Sequence, residues 1–271
     1  MKLLTLNTHS LQEAEQPKKL DQFVDGVCKN HPDVIALQEV NQNRTAPLLE
    51  DIPSGYVPAQ KEIPLKADNY AADLAKKLEE KGEPWNWSWL PIKVGYSRYD
   101  EGLALFSRKP ILEVKVIPVS VIQDYENYRT RKILAIRTED GWFCSIHMSW
   151  WNDPDEPFLP QWQKLNAALD HETPVYLMGD FNGDAAIRNE TYDRILSDGW
   201  LDTYQLADQK DFGATISGAI DGWKDQPVSE ARRIDQIFTD RKISVKSSQV
   251  IFNGENEPIV SDHYGILVET H

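Results

Sequence analysis

Five apolar runs in this chain end in a side chain that can carry chemistry, and a sixth segment brings an acid into an apolar strand. A polar group at the end of a buried strand costs free energy unless it is paired, hydrogen-bonded or bound to a metal. Six such segments in one chain therefore predict a single site assembled from several strand ends. The segments are Leu6-Asn7, Leu37-Gln38-Glu39, Ile146-His147, Met178-Gly179-Asp180-Phe181-Asn182, Val260-Ser261-Asp262-His263 and Arg232-Arg233-Ile234-Asp235.

The apolar periodicity predicts an α/β chain in which strands predominate. Leu20, Phe23, Val24 and Val27 have the spacing of one helical face. Further helices are predicted over 69–81, 157–170 and 190–198. Strands are predicted over 3–6, 33–40, 85–92, 102–107, 111–119, 132–138, 142–148, 175–178, 234–238, 248–252 and 264–269. Many strands with interspersed helices predict two packed sheets flanked by helices, and evenly spread turn residues favour one domain over residues 1–271.

The charge balance argues against a protein that binds nucleic acid through its phosphates. The chain has 43 acidic and 29 basic residues and a net charge of −14, whereas such binding requires a basic surface. Cys28 and Cys144 lie in apolar stretches and are expected to be buried thiols. The amino terminus turns polar after six residues, which is too soon for a signal peptide. No apolar run approaches the ~20 residues of a membrane span, so we expect a cytoplasmic protein.

The residue types at the strand ends indicate a metal-assisted reaction. Oxygen donors are the ligands that Mg²⁺ or Mn²⁺ prefers over Zn²⁺. His147 and His263 could stabilise charge on a phosphoryl oxygen or move protons. Glu101 and Asp235 could each orient one imidazole. The oxygen donors are Asn7, Glu39, Asp180, Asn182 and Asp262.

The order of the motifs along the chain resembles the endonuclease/exonuclease/phosphatase superfamily. The motifs are Asn7 in the first strand, LQEV with Glu39, EGLALFSR, the strand ending at His147, GDFN, RRIDQIF and SDH. The resemblance extends from residue 3 to about residue 268. It implies a four-layer α/β sandwich, in which two mixed β-sheets pack face to face between helices.

The resemblance also implies roles for individual residues. Glu39 matches the principal metal-ligating glutamate, with Asn7 beside it, and Asp262 would complete the metal site. Asp180 matches the acid that orients or deprotonates the attacking water. Asn182 matches a residue that contacts phosphate or metal.

The two histidines receive different partners from the resemblance. His263 matches the histidine that binds the scissile phosphate and pairs with Asp235. His147 matches a second histidine that family nucleases pair with a glutamate, here Glu101. Arg131 would contact phosphate. Since neighbouring strand residues point to opposite faces, we expect a turn at Asp262-His263 and another at Asp180-Phe181-Asn182.

The chain contains nine tryptophans, and their positions give evidence about the kind of substrate. Trp85, Trp87 and Trp89 alternate on one strand face and most simply form a packed face of the sheet. The stretch from His147 to Phe158, with Gln161-Trp162, resembles a subgroup of the superfamily, the bacterial maltose 6′-phosphate phosphatases. The resemblance implies that Trp150, Trp151 and Trp223 stack on glucose units, since indole faces suit sugar rings. Two interpretations stay open for Asp153, Asp155 and Glu156, which could accept sugar hydroxyls or form a solvated acidic turn.

Two other functions would use some of the same residues. The same catalytic residues fit a Mg²⁺-dependent nuclease acting on DNA, although the acidic charge makes a nucleic-acid partner unfavourable. A carbohydrate-binding protein without catalysis would use the tryptophans but leave the strand-end acids and histidines unexplained. The preferred interpretation is a metal-dependent phosphatase whose substrate is a small sugar phosphate.

Overall fold

The structure is a computed structural model that describes residues 1–217 and 231–271. Five α-helices and thirteen strands lie in these residues, with a 3-10 turn at Ser10–Gln12. The helices are α1 (Gln16–Asn30), α2 (Tyr70–Glu80), α3 (Phe158–Ala168), α4 (Thr191–Ser197) and α5 (Thr203–Leu206). The strands are β1 (Lys2–Asn7), β2 (Val34–Asn43), β3 (Asn86–Gly95), β4 (Tyr99–Ser107), β5 (Glu113–Pro118), β6 (Lys132–Thr138), β7 (Gly141–His147), β8 (Val175–Asp180), β9 (Leu201–Asp202), β10 (Ala207–Lys210), β11 (Asp235–Thr239), β12 (Val245–Ile251) and β13 (Gly265–Thr270).

The strands form two mixed sheets. The first has the order β10-β12-β13-β1-β2-β4-β3 and the second has the order β5-β6-β7-β8-β11-β9. Each sheet contains both pairings: β1 is parallel to β2 and antiparallel to β13, while β8 is parallel to β7 and antiparallel to β11. The predicted α/β sandwich of two mixed sheets is thus confirmed.

Alternation along the central strands builds three apolar layers. In β1, Leu4 and Leu6 face α1 and α2, whereas Leu3 faces the second sheet. In the second sheet, Leu134 and Met178 pack towards the first sheet. The opposite face of the second sheet packs against α3 and α4 through side chains such as Cys144, Leu177, Trp162 and Ile195. The order of layers is therefore helix, sheet, sheet, helix.

The three alternating tryptophans form a packed face of the sheet, as the sequence suggested. Trp85, Trp87 and Trp89 are buried in the layer between the first sheet and its helices. Cys144 is buried as expected, while Cys28 is only half-buried. In the described residues, no helix combines the length and apolar character that crossing a bilayer requires.

Candidate active site

The register of the second sheet places three candidate residues side by side. His147 ends β7 opposite Asp180 at the end of β8, and Asp180 in turn lies opposite Asp235 at the start of β11. The distance from His147 Nε2 to Asp180 Oδ2 is 3.8 Å. Three separated stretches of sequence therefore meet at one edge of this sheet.

A β-bulge directs Glu39 into the site. In an unbroken β2, Glu39 would follow Ile35 and Leu37 towards the helices. The pairing with β4 instead shifts register between Leu37 and Val40, and Glu39 has a φ of 53°. Val40 then takes the helix-facing place, and the extra residue lets the Glu39 side chain turn towards Asn7, whose Nδ2 lies 3.0 Å from Glu39 Oε1.

A buried polar network joins the two sheets beneath Glu39 and Asp180. Gln38 Nε2 donates to Ser145 Oγ at 3.0 Å, and Ser145 Oγ donates to the carbonyl of Leu37 at 2.9 Å. Gly179 makes this approach possible, because a Cβ there would lie 2.2 Å from the carbonyl oxygen of Ile146 and 2.7 Å from Gln38 Nε2. The glycine of the GDFN motif thus lets the facing sheet come close just before Asp180.

Turns position the remaining motif residues, as predicted. Asp262 and His263 lie in the turn before β13. Asn182 follows β8 with a φ of 48°, and Phe181, between Asp180 and Asn182, is buried. Asn182 Nδ2 donates to the carbonyl of Met148 at 2.8 Å, and the Asn182 backbone N–H donates to Asp180 Oδ1 at 2.8 Å.

The two histidines have opposite charge preferences. His263 Nδ1 donates to Asp235 Oδ2 at 2.9 Å, and although burial opposes it, the charge of Asp235 raises the pKa of His263 to about 10. Burial together with the charges of Arg131 and Lys93 lowers the pKa of His147 well below its usual value. At neutral pH His263 is a cation, whereas His147 is neutral.

Asp180 has the properties of a weak base. Burial and the charge of Asp235 raise the pKa of Asp180 to about 7. Asn7 Nδ2 bridges two carboxylates, donating to Asp180 Oδ2 at 3.2 Å and to Glu39 Oε1 at 3.0 Å. Asn7 thus presents its amide nitrogen to both acids, while its Oδ1 accepts from the His9 backbone N–H at 3.3 Å. Its predicted role as an oxygen ligand stays a prediction.

The acids around Glu39 fit a divalent cation. Burial and the charges of Glu101 and Asp262 raise the pKa of Glu39, which means that carboxylates repel one another here. Mg²⁺ and Mn²⁺ prefer oxygen ligands, and either ion would reduce the repulsion between these carboxylates by binding them. A neighbouring cluster of His9, Glu13 and Asp262 also has ligand atoms within 4.8 Å of one another.

Glu39, Glu101, His147, Asp180, Asn182 and His263 line a cavity of about 270 Å³. Its floor consists of buried charged and polar side chains, and half-buried Glu39 lies beside them. Its rim consists of three aromatic residues: Tyr96 and Tyr128, which are 44% and 51% exposed, and half-buried Trp150. The floor residues are Lys93, Glu101, Arg131, His147, Asp180, Asn182 and His263.

Glu101 lies in the floor, but its carboxylate has a different partner from the one expected. Lys93 Nζ, on the adjacent strand, is 3.1 Å from Glu101 Oε1. The sequence resemblance pairs Glu101 with His147, whereas the structure pairs it with Lys93. The antiparallel pairing of β3 with β4 places Lys93 opposite Glu101, which explains the preference for this partner.

The tryptophans after His147 separate into two environments. Trp150 lines the cavity and packs against Ile216 and Ile234. Trp151 packs against the outer face of the second sheet, with its ring centroid 6.0 Å from that of Phe158. The stacking role expected for Trp151 is therefore not supported by its position. Trp223 lies outside the described residues.

The acidic loop that follows is structural. Arg129 Nε donates to Asp153 at 3.0 Å, and Glu156 accepts the backbone N–H of Val121 at 3.0 Å. Asp153 and Glu156 are buried, so neither open interpretation, sugar contact or solvated turn, holds for them. Asp155 is exposed and lies 3.3 Å from Arg129 Nη1, which fits the solvated acidic turn. These hydrogen bonds of Asp153 and Glu156 hold the loop that contains Trp150 against the segment that contains Tyr128 and Arg131.

Sequence reasoning missed four residues of the site: His9, Lys93, Tyr96 and Tyr128. Lys93 carried a usable signal, since it is a lone charge in the apolar run 85–95. His9 lies two residues beyond Asn7 and belongs to the same strand end. Tyr96 and Tyr128 lie in loops and had no pattern that could distinguish them.

Comparisons with known proteins identify related chains. The sequence matches the profile of the endonuclease/exonuclease/phosphatase family over residues 4–263. A solved structure of an endonuclease/exonuclease/phosphatase family protein from Leptotrichia buccalis is 32% identical, with a TM-score of 0.87. The match covers 100% of this chain and 99% of that chain. No curated protein matches the sequence.

More distant structures share the fold. A mannosyl-6-phosphatase from Bacteroides thetaiotaomicron is 16% identical, with a TM-score of 0.64. A 3′ phosphatase from Neisseria, bound to product DNA hairpin, is 18% identical, with a TM-score of 0.64. Each match covers 100% of this chain and 99% of the other. At these identities the similarity establishes the fold alone.

Proposed function

Since this chain belongs to the endonuclease/exonuclease/phosphatase family, we propose that it is a metal-dependent phosphomonoesterase that releases phosphate from a small sugar phosphate. The preferred substrate in this proposal is maltose 6′-phosphate. The observation that carries the proposal is the cavity of about 270 Å³, with its buried charged floor and its aromatic rim. A cavity of this size suits a phosphoryl group with part of a small molecule.

Asp180 would activate the attacking water. The water oxygen forms a bond to phosphorus as the bond from phosphorus to the sugar oxygen breaks. Asp180 accepts the proton that the water loses, and the departing sugar oxygen takes up a proton from solvent. The pKa of about 7 suits a base that operates near neutral pH. Protonated His263, held by Asp235, would stabilise the negative phosphoryl oxygens, and neutral His147 would contribute a hydrogen bond.

Glu39 and Asp262 would hold the metal ion, with Asn7 positioning Glu39. A bound Mg²⁺ or Mn²⁺ supplies charge neutralisation at the phosphoryl and leaving oxygens. Asn182 is fixed by its hydrogen bond to Met148 and would orient the phosphate or the water beside Asp180.

The rim supports a sugar as the leaving group. Tyr96, Tyr128 and Trp150 come from three different segments and line the mouth of one cavity. Aromatic faces pack well on the apolar faces of sugar rings. The mannosyl-6-phosphatase of the same fold is compatible with a hexose 6-phosphate at this site.

The direct test is phosphate release from maltose 6′-phosphate, glucose 6-phosphate, inositol phosphates and an abasic DNA hairpin, each with Mg²⁺ and with a chelator. We expect metal-dependent release from the sugar phosphates, highest for the disaccharide. Cleavage of the hairpin without release from any sugar would replace the proposal with a nuclease. Binding of maltose without turnover of any ester would indicate a carbohydrate-binding protein.

Trp150→Ala should weaken recognition of the sugar and spare the chemistry. Removing one stacking face should raise KM for maltose 6′-phosphate about tenfold while kcat changes little. The KM for ethyl phosphate, which has no ring to stack, should remain near that of wild type. Steady-state kinetics on the two esters make the comparison.

Trp151→Ala is the matched control. Trp151 packs against Phe158 away from the cavity, so its loss should lower the free energy of unfolding by about 1–3 kcal/mol. Its KM values should match those of wild type. A larger rise in KM for Trp151→Ala than for Trp150→Ala would contradict the assignment of Trp150 to the rim.

A further inference from the structure

Two buried cations meet at one carbonyl oxygen in the cavity floor. Lys93 Nζ donates to the carbonyl of Tyr128 at 2.9 Å, and Arg131 Nη1 donates to the same carbonyl at 2.8 Å. Lys93 is 7% exposed and Arg131 is 3% exposed. Like charges in such proximity repel, so an arrangement of this kind requires compensation from nearby anions.

The charges of Glu101, Asp180 and Glu39 act on Arg131, but the hydrogen bonding of its guanidinium by the described residues is incomplete. Glu101 is paired with Lys93, whereas the guanidinium of Arg131 donates, within residues 1–217 and 231–271, to the carbonyls of Tyr128 and Thr130. Arg131 Nε is buried and has no hydrogen-bond partner among the described residues. An unpaired buried donor of a charged group is costly, and the adjacent cavity is where a partner can bind.

We infer that Lys93 and Arg131 bind the non-bridging oxygens of a phosphate monoester dianion and make this site selective for monoesters over diesters. The inference rests on the proposed function and assigns Lys93 a role in it. Lys93 and Arg131 line the same cavity as Asp180 and His263, so an oxyanion bound there lies within the reacting site.

The charge of the two ester classes explains the selectivity. A phosphate monoester carries close to two negative charges at neutral pH, whereas a diester carries one. His263, and a metal ion held by Glu39 and Asp262, would interact with the phosphoryl oxygens of either class. Lys93 and Arg131 add two positive charges that stabilise the second negative charge of a monoester, and their burial strengthens this attraction. Burial and the charge of Arg131 lower the pKa of Lys93, while the charges of Glu101 and Glu39 oppose this shift.

The experiment compares Lys93→Met with wild type in saturating Mg²⁺. We expect kcat/KM for p-nitrophenyl phosphate to fall about 100-fold, and the affinity for inorganic phosphate to fall by a similar factor. Hydrolysis of bis(p-nitrophenyl) phosphate should change less than about threefold. Lys115→Met is the control, because Lys115 Nζ donates to the carbonyl of Ala168 and does not line the cavity.

A second variant covers the case in which Lys93→Met does not fold because Glu101 is left buried and unpaired. Lys93→Met/Glu101→Gln removes both charges and keeps the side-chain volumes. It should show the same loss of phosphate affinity and the same selective loss of monoesterase activity. Equal losses on monoester and diester, or an unchanged affinity for phosphate, would overturn the inference.

The outcome also separates this inference from the proposed function. If wild type releases no phosphate from any monoester, the proposed function fails. Calorimetry of inorganic phosphate binding then decides the inference alone: binding by wild type that is lost in Lys93→Met supports the anion subsite, and equal binding by both proteins refutes it.

Discussion

Asp180→Asn should abolish phosphate release without destabilising the protein. Loss of a positioned base should lower kcat about 10³-fold. Asp180 is buried beside Asp235, and its raised pKa means that ionisation of this carboxylate costs free energy in the folded state. An amide removes that cost, so thermal unfolding at pH 7 should occur at an equal or higher temperature than in wild type. Enzyme assay and calorimetry on the same preparation measure both effects.

The raised pKa of Asp180 also predicts how the stability difference between Asp180→Asn and wild type depends on pH. The folded-state pKa of Asp180 lies above the unfolded value of 3.8, so the neutral form is favoured by folding and this contribution is lost as pH rises towards 7. The advantage of Asp180→Asn over wild type should therefore grow between about pH 4 and pH 7. An advantage that shrinks over this interval would contradict the electrostatic account.

Asp202→Asn is the matched control for Asp180→Asn. Asp202 is equally buried, but its carboxylate is 2.8 Å from Arg233 Nη2 and accepts a hydrogen bond from Tyr192 at 2.7 Å. Breaking a compensated buried pair should cost about 3 kcal/mol of stability and leave kcat unchanged. The same chemical change should thus have opposite consequences at the two positions. A retained turnover in Asp180→Asn would remove Asp180 from the mechanism.

Many residues of the candidate site could be predicted because each one follows a recognisable local pattern in the sequence. Asn7, His147 and Asp180 each end an apolar run, and a polar group at such a position requires a partner. The apolar runs also located the longer strands, with ends that lie within three residues of the observed ones. The elements that escaped prediction are β9, α5 and β10, which span 201–210 and are too short for periodicity to register.

The pairing of side chains on neighbouring strands could not be predicted in the same way. Whether Glu101 pairs with His147 or with Lys93 depends on the register of β3 against β4, which no local pattern specifies. The bulge at Glu39 likewise depends on two strands that are distant in sequence. Trp150 and Trp151 are adjacent and chemically identical, and only the packing of the following helix separates a rim residue from a core residue.

Mg²⁺ should stabilise the wild-type protein and should not stabilise Glu39→Gln. Burial, together with the charges of Glu101 and Asp262, raises the pKa of Glu39, and a bound cation would relieve the repulsion among these carboxylates in the folded state alone. At about 100 times its dissociation constant, Mg²⁺ adds about 2.7 kcal/mol, equivalent to about 5–10 °C in Tm for a chain of this size. Thermal unfolding with Mg²⁺ and with chelator measures the shift, and phosphate release should be lost with it.

Glu13→Gln identifies which carboxylates hold the ion, because Asp262 belongs to both clusters. Glu13 already pairs with His9 and Lys19, and although burial opposes it, the hydrogen bond to Glu13 raises the pKa of His9 to about 9. A carboxylate compensated by two cations has little to gain from a metal ion. Glu13→Gln should therefore keep the Mg²⁺-dependent shift that Glu39→Gln loses. The reverse result would move the metal site to His9, Glu13 and Asp262.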